Sequence, residues 1–284
     1  MDFETILVEN DAGIVRITLN APERRNALSR KMQAELIDAV EAAGRDPKAG
    51  VVVIKGAGKG FCSGYDISGD RSGAAHGADA MSLPRRTLET VEMSRGWSRI
   101  WDAPITVIAQ IHGFCLAGGT DLAQHCDLIL TARDATIGFP ALRMGGTPPT
   151  TMWLYNVGPQ WAKRLLLTGD TFTGRLAEKI GFAIEAAPAD KLGERVDFLA
   201  RRIVAMGRDI AGINKFVINR GVELMGRATL QNIAASLDSV ANQAPEMAAF
   251  MKRAEEIGLG AAFKERDAAF AEGVPIDVAE EDEN

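Results

Sequence analysis

The chain has 284 residues, 46% of them hydrophobic, so it is long enough for one large globular domain or for a domain with a smaller appendage. Its formal net charge of -6 argues against a general nucleic-acid-binding surface. Three cysteines, Cys62, Cys115 and Cys126, are too few for a disulfide framework, and their apolar or glycine-rich surroundings predict reduced thiols in a cytoplasmic protein.

The N-terminus is acidic and has no basic region followed by an apolar run. No segment approaches the roughly 18 consecutive apolar residues of a membrane span. We therefore expect neither export nor a membrane association.

Strand and helix patterns alternate through the first half of the chain. Residues 14–20 alternate between apolar and polar side chains, which predicts a half-buried strand. Ser29 is a suitable cap for a helix that Gly44 and Pro47 would end. The run 51–54 is apolar and β-branched throughout, as in a strand covered on both faces. Repeated units of this kind predict an α/β domain.

Residues 68–82 are rich in Gly, Ala and Ser and show no period, which predicts a loop before a helix near 84–100. Further strands are predicted at 105–111, 127–132 and 135–139. Helical spacing then dominates, over 161–168, 177–180, 191–206, 213–225, 230–240 and 245–270 with a break at 258–260. We divide the chain into an α/β core at 1–200, a C-terminal helical region at 201–270 and an acidic, disordered tail at 271–284.

Two glycine-marked turns stand where predicted strands lead towards helices. The first is FCSGYDI at 61–67, and the second is HGFCLAGGTD at 112–121. A strand end that opens into a helix N-terminus presents unpaired backbone N–H groups. Two such ends that face one another could hold an oxygen that becomes negative during a reaction.

These two turns, about 50 residues apart, resemble the fingerprint of the crotonase superfamily, the enoyl-CoA hydratases and isomerases. Matching pieces over roughly residues 3–270 are PERRNAL at 22–28, CDLIL at 126–130 and the stretch 139–146. The resemblance implies a crotonase-like spiral of strand-strand-helix units with a C-terminal helical region that builds a homotrimer or a dimer of trimers. It also implies an acyl-CoA substrate, with coenzyme A as part of the substrate and no separate cofactor.

Matching the motif places the two oxyanion-hole amides at Tyr65 and Gly118. Asp121 lies about one helical turn after Gly118, so its carboxylate could stand beside the same cavity. It matches one of the two catalytic glutamates of the hydratases, one methylene shorter. A carboxylate there could exchange a proton with substrate carbon or orient a water. We interpret Asp121 as the acid–base residue, against the simpler reading of an acid that complements a helix dipole.

The position of the second hydratase glutamate is Ala141, and alanine cannot transfer a proton. Efficient hydration is therefore in question, while isomerisation, slow hydration or dehydration, and hydrolysis of a thioester or C–C bond stay open. Arg143 or Tyr65 could contribute a polar group. Our first choice is a lyase or isomerase of the enoyl-CoA hydratase/isomerase family in fatty-acid or related metabolism; the alternatives are an acyl-CoA hydrolase or decarboxylase and a non-catalytic acyl-CoA-binding protein.

Binding of coenzyme A requires neutralised phosphates and a contact for adenine. The candidates for these and the pantetheine contacts are Arg24, Arg25, Lys59, Ser63, Asp66, Ile67, Phe263 and Arg266. The last two fall where the family brings residues from a neighbouring subunit. The loop 68–82 would lie near the acyl chain, or it is a surface loop without a role.

Other chemistry-bearing patterns fail on spacing. Residues 56–60, GAGKG, lack the Ser or Thr and the glycine spacing of a phosphate loop. The spacing of His112, Cys115, His125 and Cys126 matches no common pair of zinc-ligand knuckles, so we expect structural histidines and no metal. Ser63 does not stand in a nucleophile elbow. The four tryptophans, including Trp97, are predicted to be core or subunit contacts.

Overall fold

The computed structural model describes residues 3–66, 82–271 and 274–278. Its strands form a six-stranded sheet in the order β1-β2-β3-β4-β6-β9 and a three-stranded sheet in the order β5-β7-β8. The strands are β1 (Ile6–Asp11), β2 (Ile14–Leu19), β3 (Val51–Gly56), β4 (Thr106–Ile111), β5 (Phe114–Leu116), β6 (Leu128–Ala132), β7 (Thr136–Gly138), β8 (Thr171–Thr173) and β9 (Glu185–Ala187).

The helices of the described residues lie around these sheets. They are α1 (Arg30–Arg45), α2 (Leu83–Trp101), α3 (Gly118–Gln124), α4 (Trp153–Thr168), α5 (Gly174–Lys179), α6 (Leu192–Met206), α7 (Arg208–Leu224), α8 (Arg227–Ala241), α9 (Pro245–Ile257) and α10 (Leu259–Ala268). Short 3₁₀ turns occupy Pro22–Arg24 and Pro140–Met144.

The two sheets lie beside each other because a strand of the large sheet is followed, in two places, by a short strand of the small sheet. It passes from β4 through β5 into α3, and from β6 directly into β7. An isolated bridge between Cys62 and Cys115 extends the same pattern to the turn after β3. Apart from the antiparallel β1–β2 pair, the large sheet is parallel. The parallel strands β3 and β4 therefore end at the same edge of the large sheet, where the turns 61–66 and 112–121 meet.

Burial explains why the central elements form where the pattern predicts them. The first four residues of β3 are at most 1% exposed, as expected for a strand covered on both faces. The helix α1 begins after Ser29, whose hydroxyl accepts a hydrogen bond from the Met32 amide at 3.1 Å. It buries Met32, Leu36 and Val40 against the sheet.

Some boundaries differ from the predictions. Four strands, β1, β5, β8 and β9, were not predicted. Most side chains of β1 are exposed, and β5, β8 and β9 have only three residues each. The helix α4 begins at Trp153, well before the predicted start, and is kinked at Gly158, whose φ is 71°. A glycine followed by Pro159 hid its first turns from the periodic pattern. The predicted loop 68–82 lies outside the described residues, apart from Ser82, the cap residue of α2.

Part of the acidic tail is attached to the core, so the prediction of disorder over 271–284 was wrong for residues 274–278. Ile276 pairs with Phe172 of β8 through two backbone hydrogen bonds, from the Thr173 amide at 2.9 Å and to the Thr171 carbonyl at 2.8 Å. The Thr173 hydroxyl also donates to Asp277 at 2.5 Å. Composition alone missed this contact because an edge strand accepts almost any extended partner.

The C-terminal helices cover the core of their own chain. The helix α8 packs along α2, and α9 and α10 pack on each other and on the 3₁₀ turn at Pro140–Met144. The predicted division at residue 200 falls inside α6, which packs on β3, β4 and β6. That domain division stays a prediction.

Candidate active site

The turn 61–66 lies directly against the start of α3. Gly64 has a φ of 111°, and a Cβ atom added to it would lie 2.8 Å from the Ala117 Cβ and 3.2 Å from the Gly118 amide nitrogen. Only glycine fits this close approach without strain. The Leu116 amide donates to the Cys62 carbonyl at 2.9 Å, which ties the two turns together.

The amides of Tyr65 and Gly118 lie at this junction, and neither donates to an acceptor among the described residues. Their neighbours are paired: the Leu28 amide donates to the Gly64 carbonyl, and the Asp66 amide donates to the Leu28 carbonyl. Gly118 is the first residue of α3, where N–H groups have no partner within the helix. Two adjacent unpaired N–H donors can stabilise an oxygen that gains negative charge.

Asp121 is completely buried beside this junction, with an exposure of 0%. The Thr150 hydroxyl donates to its Oδ1 at 2.6 Å, and the Tyr65 hydroxyl donates to its Oδ2 at 2.9 Å. The Trp97 indole Nε1 in turn donates to the Tyr65 hydroxyl at 3.0 Å. Four segments of the chain therefore meet around one carboxylate.

Burial dominates the electrostatics of this carboxylate. It raises the pKa of Asp121 from 3.8 to about 7, and the nearby Asp238 acts in the same direction, while the hydrogen bonds from Thr150 and Tyr65 oppose the rise. Burial, with the charge of Asp121, also raises the pKa of Tyr65 well above its ordinary value. Asp121 can therefore gain and lose a proton near neutral pH, whereas Tyr65 stays protonated.

Ala141 lies in the 3₁₀ turn Pro140–Met144, half-buried against the core. The following Arg143 turns away from Asp121: its Nη1 donates to Asp267 at 3.1 Å, and its guanidinium lies 4.4 Å from the centre of the Phe270 ring. Of the two polar groups that could compensate for Ala141, only Tyr65 contacts Asp121 in the described residues.

Several predicted coenzyme-binding residues come together near the first turn. Arg24 forms an ion pair with Asp66 at 2.5 Å, and the Ser63 amide donates to the Arg25 carbonyl at 3.1 Å. The Arg25 guanidinium lies 4.5 Å from the centre of the Phe114 ring. Lys59 is exposed in the turn after β3, close to Gly113.

The remaining predicted binding residues lie elsewhere. Phe263 packs on Phe250 within the C-terminal helices, and Arg266 pairs with Asp267. Arg266 therefore shares Asp267 with Arg143, and Phe263 lies beside Arg266. Ile67 lies outside the described residues.

Sequence reasoning missed three residues around this site. Thr150 follows a Pro-Pro pair just beyond the motif stretch 139–146, and Trp97 was interpreted as a core or subunit contact. The Trp97 ring is buried, as predicted, but its N–H also orients Tyr65. Asn26 is fully buried, and its amide donates to the carbonyls of Ala57 and Gly60. The position of Asn26 within the 22–28 motif, directly after two arginines, was the sequence signal that could have identified it.

Histidine and cysteine have structural surroundings. The His125 Nδ1 contacts the Asp121 carbonyl at 2.7 Å, its Nε2 contacts Gln231 at 2.9 Å, and burial lowers its pKa to about 4. The three cysteines are free and buried. Within the described ranges no cluster of three or more His, Cys, Asp or Glu side chains could hold a metal ion, and no helix is long and apolar enough to cross a membrane.

Comparison with known proteins gives consistent matches. Residues 9–256 match the family model described as enoyl-CoA hydratase/isomerase. A probable enoyl-CoA hydratase of Mycobacterium tuberculosis is 30% identical over 259 residues, which are 89% of this chain and 97% of that protein. A hydroxycinnamoyl-CoA hydratase-lyase of Pseudomonas fluorescens is 30% identical over 239 residues, 83% of this chain and 86% of that protein.

Solved structures agree with the sequence matches. An enoyl-CoA hydratase from Mycobacterium smegmatis superposes with a TM-score of 0.89 at 34% identity, covering 94% of each chain. An enoyl-CoA hydratase/isomerase from Xanthobacter autotrophicus Py2 gives a TM-score of 0.86 at 32% identity, covering 95% of this chain and 99% of that one.

Proposed function

We propose, from the premise that the chain belongs to the enoyl-CoA hydratase/isomerase family, that it is a lyase or isomerase that acts on acyl-CoA thioesters in fatty-acid or related metabolism. The chain also has the crotonase fold, as its sequence motifs predicted. The observation that carries the proposal is Asp121, a fully buried carboxylate with a pKa of about 7 beside two amides that have no acceptor among the described residues. A buried acid without a cation beside it is costly for stability, and its pKa suits proton transfer near neutral pH.

The amides of Tyr65 and Gly118 donate to the thioester oxygen in this proposal. They favour the enolate over the ground state because the negative charge on that oxygen grows as a proton leaves the substrate carbon. Loss of one such donor in a comparable site costs about 3 kcal/mol of transition-state stabilisation. The side chains of the two residues are not required for this step.

Asp121 exchanges the proton. As a carboxylate it receives a proton from a carbon next to the activated carbonyl, and as an acid it returns the proton to the same or another carbon of the conjugated system. With one carboxylate, this sequence moves a double bond or carries out slow hydration and dehydration.

The methyl group of Ala141 favours single-acid chemistry over efficient hydration. Concerted addition of water is served by two carboxylates, and the 3₁₀ turn Pro140–Met144 offers none. The same feature supports the second candidate, a hydrolase or decarboxylase that uses the enolate. A non-catalytic acyl-CoA-binding protein is the third candidate, and the buried acid at Asp121 argues against it.

Coenzyme A would bind at the cluster formed by Arg24, Arg25, Lys59, Ser63 and Asp66. Arg24 would exchange some of its contact with Asp66 for a phosphate, and the backbone around Ser63 would meet adenine or pantetheine. Phe263 and Arg266 lie in α10, so any contact that they make with coenzyme A would come from the C-terminal helices. A cytoplasmic location and a homotrimer or dimer of trimers complete the proposal.

The test is loss of the conjugated absorbance of a short trans-2-enoyl-CoA, with Asp121→Asn and Ala141→Glu beside the natural protein. We expect slow or no loss with the natural protein, faster loss when Ala141→Glu restores a second carboxylate, and none with Asp121→Asn. The control is Asp134→Asn, which changes an exposed acid in the turn before β7. Turnover that survives Asp121→Asn unchanged would refute the assignment of Asp121 as the acid–base residue.

A further inference from the structure

The Tyr65 hydroxyl lies between a donor and an acceptor whose roles are fixed. The Trp97 indole can only donate, so the Tyr65 oxygen accepts at 3.0 Å. The phenolic proton therefore points at Asp121 Oδ2, 2.9 Å away. The side chain has one defined hydrogen-bond direction.

The ring of Tyr65 lies over Gly118. A Cβ atom added to Gly118 would lie 2.7 Å from the ring atoms Cδ2 and Cε2. A thioester held by the amides of Tyr65 and Gly118 would border this ring. Asp121 itself is 0% exposed, and its two oxygens are covered by the hydroxyls of Thr150 and Tyr65.

We propose that Tyr65 is a catalytic residue whose hydroxyl passes protons between Asp121 and the carbon next to the thioester carbonyl. The inference rests on the proposed function and assigns a new role within it: Asp121 holds the proton, and Tyr65 delivers it. It also supplies the polar group that Ala141 lacks.

The step balances without any further reactant. The substrate C–H bond breaks as its proton joins the Tyr65 oxygen, and the phenolic O–H bond breaks as that proton joins Asp121 Oδ2. The C–H electron pair moves into the enolate, whose oxygen the two amides hold. The return step reverses each transfer, so Tyr65 ends as it began and nothing is oxidised or reduced.

Charges around the pair favour a coupled transfer. Besides Tyr65, the titratable groups of the described residues that face Asp121 are Cys62 of the first turn, Cys115 of β5, Asp238 of α8 and His125, the residue that ends α3. Burial keeps both thiols protonated and His125 neutral at pH 7. None of these groups is a cation that could stabilise a tyrosinate beside the carboxylate, so the two protons move together.

The test uses exchange of the α-proton of a saturated acyl-CoA such as butyryl-CoA in D₂O, followed by NMR. We expect Tyr65→Phe to lower the plateau exchange rate by about 100-fold or more. The double variant Tyr65→Phe/Asp121→Asn should be no slower than the slower single variant, because the two side chains act as one unit. The dissociation constant for butyryl-CoA should stay within about threefold, since both amides remain.

Two further variants separate a relay from a simple hydrogen bond. Thr150→Val removes the other hydroxyl from the same carboxylate, so it should raise the pH midpoint of exchange and lower the plateau less than Tyr65→Phe does. Tyr155→Phe changes the other tyrosine of the chain, whose hydroxyl contacts the Met225 carbonyl at 3.3 Å, and should leave exchange unchanged.

The inference is overturned if Tyr65→Phe keeps its plateau rate and only shifts the pH midpoint. If Asp121→Asn abolishes exchange while Tyr65→Phe does not, the proposed function stands and the relay fails. If Asp121→Asn exchanges normally, the proposed function fails first. Should Tyr65→Phe not fold, Trp97→Phe keeps the hydroxyl but removes the N–H that directs it; an exchange rate equal to that of the natural protein would then contradict the relay.

Discussion

Asp121 combines two properties that rarely occur together in a residue with a purely structural role. It is fully buried, and no lysine or arginine side chain pairs with it in the part of the chain that the structure describes. The half-buried Asp127, six residues later, has the ordinary arrangement, an ion pair with Lys215 at 2.8 Å. Two hydroxyl donors reduce the cost of burying Asp121 but do not remove it.

Because burial raises the pKa of Asp121, the direction in which the stability of the protein changes with pH is fixed. Between pH 4 and 7 the folded protein keeps a proton on Asp121 that the unfolded chain has already released. The contribution of this group to the free energy of unfolding therefore falls as the pH rises through that range and stays low above it. A rise of the pKa from 3.8 to about 7 corresponds to at most ~4 kcal/mol.

The margin between the stability of Asp121→Asn and that of the natural protein should therefore shift in favour of the variant, and so grow, from pH 4 to pH 8. Urea unfolding at several pH values measures this margin, and the other buried acids cancel in the difference. Asp134→Asn should show no such trend. A margin that shrinks as the pH rises would contradict the raised pKa.

At the residue scale, the sequence pointed to Asp121 and Tyr65 but not to Thr150 or to the role of Trp97. Spacing after Gly118 was enough to place the carboxylate near the first turn, because one helical turn fixes that relation. Trp97 and Thr150 are 24 residues before and 29 residues after Asp121. No local period links such positions, so their meeting depends on how α2 and the segment before α4 pack in the complete fold.

Element positions were predictable where one pattern dominates. The strand β3 begins where it was predicted and ends two residues later. The helix α1 begins directly after its predicted cap and ends within about two residues of the predicted stop. The three-residue strands β5, β8 and β9 carry no usable period, because they are held by neighbouring strands rather than by their own side chains; β7, of the same length, was predicted within the longer range 135–139. The attached segment 274–278 belongs to the same class.

The helix α7 has its polar and apolar faces reversed. Its buried residues are Lys215, which contacts Asp127 and the Ile105 carbonyl, and Asn219, which donates to the Trp101 carbonyl. Its outer face exposes Ile213 by 61% and Val217 by 63%. An apolar outer face of this kind is expected to be covered by a neighbouring surface, and this supports the proposed trimer.

Val217→Glu should therefore weaken self-association, because it would bury a charge in an apolar contact. Sedimentation velocity over a range of protein concentrations measures the change in mass. The matched control is Leu167→Glu on α4, where the leucine is 81% exposed. If both variants sediment as the natural protein does, the outer face of α7 is not the association surface.

At the scale of the whole molecule, the site depends on the parallel strands of the large sheet ending at one edge. That arrangement brings the turns after β3 and β4 together, as the strand-then-helix pattern and the paired motifs predicted. The approach of α2 and α8 of the same chain to the site, through Trp97 and Asp238, was not predictable. Helical periodicity identifies a helix but does not say which surface it will cover.

The central claim is that the amides of Tyr65 and Gly118 polarise the carbonyl of an acyl-CoA thioester. Isotope-edited infrared spectroscopy of bound acyl-CoA, labelled with ¹³C at the thioester carbonyl, tests it most directly. We predict that the carbonyl stretch moves to a lower wavenumber on binding, in the natural protein and in Asp121→Asn alike. The shift should shrink in Gly118→Ala, whose added Cβ would lie 2.7 Å from the Tyr65 ring and force the two turns apart. A bound thioester whose carbonyl stretch equals that in water would contradict the account.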